Sequence, residues 1–184
     1  KNLPSKGYKA FSLSDTAEAA APFTIEGNNI ETPFYNIKID ENGLFTSIFD
    51  KDNNREVLQA GQKANLMRVY EDKPIYYDNW DIDIYYTEKF WDVDNVVKME
   101  WLEVGAVRAT LFIERKFSDS VIRQKIYFYA NDRRIDFDTY VDWHESQQLL
   151  KVHFPVEVHN DEATFEIQFG NVTRKVHTNT SWDM

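Results

Sequence analysis

No cysteine occurs anywhere in the 184 residues. That removes thiol nucleophiles, thiolate-ligated zinc and disulfide staples together, and it fits folding in a reducing compartment, so a cytoplasmic location is expected. Glycine and proline are scarce, at six and five residues, which leaves no phosphate-cradling glycine loop and no nucleophile elbow. No window approaches the ~20 consecutive apolar residues of a membrane-spanning helix. Residues 1–9 lack the apolar core of a signal peptide. Positive charge is also short: 21 Lys and Arg against 31 Asp and Glu give a net charge of −10 at pH 7. A surface of that sign repels phosphate backbones and anionic lipids, so a neutral partner is expected rather than nucleic acid or membrane.

What the chain has in quantity is aromatic side chains, 15% of all residues, in segments that alternate with a period of two. Residues 35–40 and 44–50 flank Glu41-Asn42-Gly43, where Asn-Gly supplies the positive φ angles of a tight hairpin. Ala109, Leu111 and Ile113 alternate with Thr110 and Glu114; Ile122, Ile126 and Phe128 form the next apolar row. Ile135, Phe137 and Val141 alternate with Asp136, Asp138 and Asp142, and Leu150, Val152 and Phe154 continue the pattern. Phe165, Ile167 and Phe169 close it. Short strands separated by turn chemistry predict an all-β chain, a large antiparallel β-sandwich. Residues 8–13 read as a lone strand ahead of an Ala-rich run ending at Pro22. Residues 1–23 are therefore expected to be a strand of a preceding domain plus a linker, with the sandwich domain at 24–184.

Residues 76–86, YYDNWDIDIYY, hold five aromatics and three carboxylates. Read as a strand, the stretch places Asp78, Trp80, Ile82, Ile84 and Tyr86 on one face and Tyr77, Asn79, Asp81, Asp83 and Tyr85 on the other. Flat rings beside hydrogen-bond acceptors suit a sugar, whose C–H face packs on a ring while its hydroxyls need acceptors; a half-buried strand with a solvated acidic face has the same pattern. Asp81 and Asp83 would lie ~6.6 Å apart at Cα, within the range of glycosidase carboxyl pairs, but Asp136 and Asp138 share that spacing. An EF-hand beginning at Asp78 would need Gly and Glu where Asp83 and Lys89 stand. His144, His153, His159 and His177 form no metal-ligating spacing and read as surface or turn histidines.

Several stretches, in order, carry a family resemblance: YNIKIDENGLFTSIFD (35–50), REVLQAG (55–61), DNWDIDIYY (78–86), RIDFDTYVDWHE (134–145), KVHFPVEV (151–158), ATFEIQFG (163–170) and NTSWD (179–183). Residues 8–183 resemble the non-catalytic β half of glycoside hydrolase family 38, the α-mannosidases, most closely the bacterial and cytosolic-type branch. The resemblance implies a galactose-mutarotase-like supersandwich, cut short at its C-terminus. It implies a retaining α-mannosidase parent whose aspartate nucleophile and catalytic zinc belong to an N-terminal barrel. No catalytic or metal residue is expected in these 184 residues, and no cofactor, so the fragment alone is expected to be inactive. Its expected partners are the parent's own catalytic domain and a mannose-containing oligosaccharide. Asp78, Trp80, Asp81 and Asp83 are the carbohydrate-binding candidates, lining a wall of the sugar cleft. The alternative is a free-standing carbohydrate-binding or interaction module.

Overall fold

A computed structural model of the chain describes residues 5–11, 20–78, 80, 82–177 and 179. The described residues form fourteen strands and a single 3-10 turn of helix. Strands β1 (Thr24–Glu26), β2 (Asn29–Glu31), β3 (Tyr35–Ile39), β4 (Phe45–Asp50) and β5 (Arg55–Glu56) build one antiparallel sheet in chain order. Residues 8–11 join no strand, and 12–19 lie outside the described residues.

The β3–β4 hairpin forms where the sequence predicts it, by a different turn. Only Gly43 of the Asn42-Gly43 pair is left-handed, at φ +69°. The loop runs from Asp40, whose N–H donates to the Leu44 carbonyl at 3.0 Å and whose carboxylate accepts the N–H groups of Asn42 and Leu44 at 3.0 and 2.9 Å. An aspartate that captures the backbone ahead of it stabilises this longer loop over the two-residue turn. Asp50 repeats the device at the β4–β5 turn, accepting the N–H of Asp52 and of Asn53. Glu56 then stitches the two strands: one carboxylate oxygen accepts the N–H groups of Ile48, Val57 and Leu58, and the other the Ser47 hydroxyl. Burial pushes the Glu56 carboxyl upward, yet these four hydrogen bonds together hold it below the usual glutamate range.

Strand β6 (Leu66–Glu71) pairs with β7 (Phe90–Asp92). Four long strands follow: β8 (Val96–Val104), β9 (Arg108–Phe117), β10 (Ser120–Tyr129) and β11 (Asp132–Asp142), in the antiparallel order β11-β10-β9-β8. Strand β12 (Gln148–His153) returns to the free edge of β6. Strands β13 (Glu162–Ile167) and β14 (Gly170–Lys175) make a separate hairpin, on which Phe165 and Ile167 stay exposed and Phe169 sits in the turn at φ 61°.

The period-two rows define the core. Ile30, Ile37, Phe45 and Ile48 of the first sheet pack on Ala109, Leu111, Ile113, Ile126 and Phe128 of the long-stranded sheet. On the same inner face of β10, Ile122 meets Met67 and Val69 of β6, with Val93 beside them. One sheet is thus covered by two others side by side, joined by bridges at Phe45–Ala64 and Leu58–Val156. This is a two-layer sandwich, stabilised by roughly 1.5–3 kcal/mol for each large side chain fully buried. Three polar side chains share the inner space: Arg115, Asn65 and Gln124 are all buried, and the Asn65 amide donates to Gln124 at 2.8 Å.

Candidate functional site

Residues 72–89 leave the sandwich between β6 and β7. The strand expected over 76–86 does not form. Tyr77 is left-handed at φ 61°, the Trp80 N–H closes a turn onto the Tyr77 carbonyl at 2.7 Å, and Ile84–Glu88 wind into a 3-10 helix. The reason is a missing edge: β6 pairs with β7 on one side and β12 on the other, so the excursion has no ladder to join. It closes on itself instead. Pro74 has no N–H to offer, and the next one, from Ile75, is accepted by the Asp83 carboxylate at 2.7 Å across the loop.

Two ion pairs lie at the base of the excursion. Glu71 accepts from Lys89 at 2.8 Å and pairs with Lys73 at 3.2 Å, and these two ammonium groups hold its carboxyl below the usual range. Further out, the Tyr86 ring stands edge-on to Tyr70 at 5.2 Å, and its hydroxyl accepts from Lys151 at 2.6 Å. Tyr70 is buried, and its hydroxyl lies 2.9 Å from His153 Nε2. His153 is therefore a strand residue on the covered outer face of β12, not the surface or turn histidine its spacing suggests. Burial, with Arg68 and Lys151 nearby, lowers its pKa and keeps the imidazole neutral at pH 7.

Of the predicted site residues, Trp80 is 85% exposed, and Asp78 is exposed beside it. Asp83 is half-buried, with one oxygen committed to the Ile75 N–H. Asp81 lies outside the described residues. Tyr76, Tyr77, Ile82 and Tyr85 are also exposed, so one excursion carries a set of rings and an aliphatic side chain open to contact from outside. The other aspartate pair is used differently. Asp136 and Asp138 accept hydrogen bonds from the Tyr129 and Tyr127 hydroxyls of the neighbouring strand, at 2.6 and 3.2 Å. Sequence reasoning missed Tyr70, Lys151 and His153; the signal for them is that β6 and β12 alternate, which puts them on the other face of the sheet from Met67, Val69 and Leu150.

Among the described residues no group of three or more His, Asp or Glu is placed to hold a metal ion, and no helix is long and apolar enough to cross a membrane. Fold and excursion together define an antiparallel β-sandwich module that presents aromatic rings and carboxylates outward from one inter-strand loop.

Residues 30–184 match the family model described as the glycosyl hydrolases family 38 C-terminal domain, and the chain belongs to that family. It is similar to alpha-mannosidase G of Dictyostelium discoideum, with 31% identity over 99% of this chain and 18% of that protein. Alpha-mannosidase 2C1 of Homo sapiens is 30% identical over 98% of this chain and 18% of its own length. The crystal structure of an alpha-mannosidase from Enterococcus faecalis V583 shares the fold, with a TM-score of 0.66 at 19% identity over 96% of this chain and 22% of that one. The chain thus spans under a fifth of the length of the curated relatives it matches.

Proposed function

We propose that this chain is the non-catalytic β-sandwich part of a retaining α-mannosidase, packing on the catalytic part of the same protein and helping to wall its sugar cleft through residues 75–85. The observation that carries the reading is the exposure of Tyr76, Tyr77, Trp80, Ile82 and Tyr85 on a loop braced from within by the Ile75–Asp83 and Trp80–Tyr77 hydrogen bonds. Apolar side chains gathered in this way mark a contact surface rather than scattered surface residues. Trp80 and the tyrosines offer faces for the C–H side of a mannose ring, while Asp78 and Asp81 offer acceptors for its hydroxyls. Asp83, already bonded within the loop, shapes that surface. The relatives are α-mannosidases several times longer, which supports a parent with the hydrolytic machinery elsewhere in its chain. On this reading the parent's zinc belongs to its catalytic part and none to these residues. The absence of cysteine supports a cytoplasmic parent.

Kinetics of the longer enzyme test this reading. Trp80→Ala should weaken an aryl α-mannoside by about 3- to 10-fold in kcat/KM, the equivalent of one lost ring contact, with folding unchanged. Wild-type kinetics in a normally folded variant would remove Trp80 from the cleft wall.

A further inference from the structure

We propose that Lys151 is a positioning residue: its ammonium group pins the 3-10 helix Ile84–Glu88 to the outer face of β6 and β12, and so sets where Trp80, Asp78 and Asp83 stand. Only the consequence for sugar binding rests on the reading above; the pinning itself rests on geometry. The helix has five residues and none of them is buried. So short a 3-10 segment does not hold its own conformation in water. The Asp83–Ile75 hydrogen bond lies within the excursion and travels with it. The ion pairs of Glu71 sit at the neck on partly exposed side chains and bear little load.

Tyr86 reaches from the helix to the sheet, and its partners there are well fixed. Tyr70 beneath it is buried and bonded to His153. Lys151 is half-buried beside it, donating to the Tyr86 hydroxyl at 2.6 Å while its Nζ lies 4.1 Å from the Tyr86 ring centroid and 5.9 Å from that of Tyr70. A partly desolvated ammonium between two rings is a stronger tie than an exposed ion pair. Strand register places Lys151 opposite Arg68, one pleat from Tyr70, so the cation arrives from a strand 65 residues away in sequence from Tyr86. Removing it would free the helix without touching the core between the layers.

Hydrogen exchange on the full chain tests the pin, with Lys151→Met, which keeps the aliphatic stem, and Lys151→Arg, which keeps the cation. Peptides covering 75–88 should exchange about tenfold faster in Lys151→Met and return toward wild type in Lys151→Arg, with β9 and β10 unchanged throughout. Tyr86→Phe, which deletes only the acceptor, should move the same peptides in the same direction and guards against a Lys151→Met chain that folds poorly. Wild-type exchange over 75–88 in both Lys151→Met and Tyr86→Phe would overturn the proposal. In the longer enzyme, Lys151→Met should raise KM more than it lowers kcat. Faster exchange with unchanged KM would uphold the pin and defeat the cleft-wall reading.

Discussion

The wholly buried guanidinium of Arg115 donates from Nη2 to the carbonyl oxygen of Gly43 at 3.1 Å, and a Cβ on Gly43 would stand 2.7 Å from that same nitrogen. Strand β9 thereby latches the β3–β4 loop from inside the sandwich. The same nitrogen takes the Asn42 carbonyl at 2.9 Å. Burial pulls the Arg115 pKa down to about 10, with the Asp40 carboxylate acting against it, so the group remains charged at working pH.

Gly43→Ala should be among the costliest single-methyl additions in the chain. It demands a left-handed backbone from a residue with a Cβ, and that Cβ meets Ile113 Cδ1 at 2.6 Å as well as Arg115. A loss of about 2–4 kcal/mol is expected, read as a lower urea midpoint with unchanged slope. A midpoint equal to wild type would mean that the loop is not held against β9.

Arg115 itself divides into volume and charge. Its Nε and Nη1 have no partner among the described residues. Arg115→Met keeps most of the volume and removes a desolvated charge; the Asn42 carbonyl loses the guanidinium while the Gly43 carbonyl keeps the Asn65 amide at 3.4 Å, so its stability should fall within about 1 kcal/mol of wild type. Arg115→Ala opens a cavity as well and should cost about 3 kcal/mol. Equal losses in the two variants would show that the hydrogen bonds, and not the filling of space, are what Arg115 contributes.

Acid sensitivity should pass through Asp50. The Asn53 side chain first, then the Asn53 N–H and Arg133, overcome burial and hold its carboxyl at about 2, against an ordinary 3.8. Between those values the unfolded chain binds more protons than the folded one, so stability rises with pH across the window. The contribution is complete above about pH 4 and lost as pH falls through 2. Unfolding midpoints from pH 2 to 5 should therefore converge for wild type and Asp50→Asn as pH drops. A gap independent of pH would assign the effect to shape rather than charge.

The sequence carries the sandwich because burial on one sheet face imposes a period of two, and β9 and β10 keep that period through Leu111, Ile113, Ile126 and Phe128. The same period misleads over 76–86. Alternation reports two unlike faces but not whether a strand edge is vacant, and both edges of β6 are taken, by β7 and by β12. Asn42-Gly43 marks its hairpin correctly, yet the turn is settled by Asp40 and by an arginine 72 residues from Gly43. The candidate site divides in the same way. Trp80 and Asp78 stand out by composition, whereas Lys151 and Tyr70 acquire their roles only when β12 folds back onto β6.

Residues 75–88 are proposed to meet the rest of a longer α-mannosidase. Hydrogen exchange over those residues, measured for this chain alone and for the longer protein that contains it, tests that claim most directly. Contact predicts exchange slowed at least tenfold in the longer protein across 75–88, with β9 and β10 the same in both. Equal rates over 75–88 in the two proteins would contradict it.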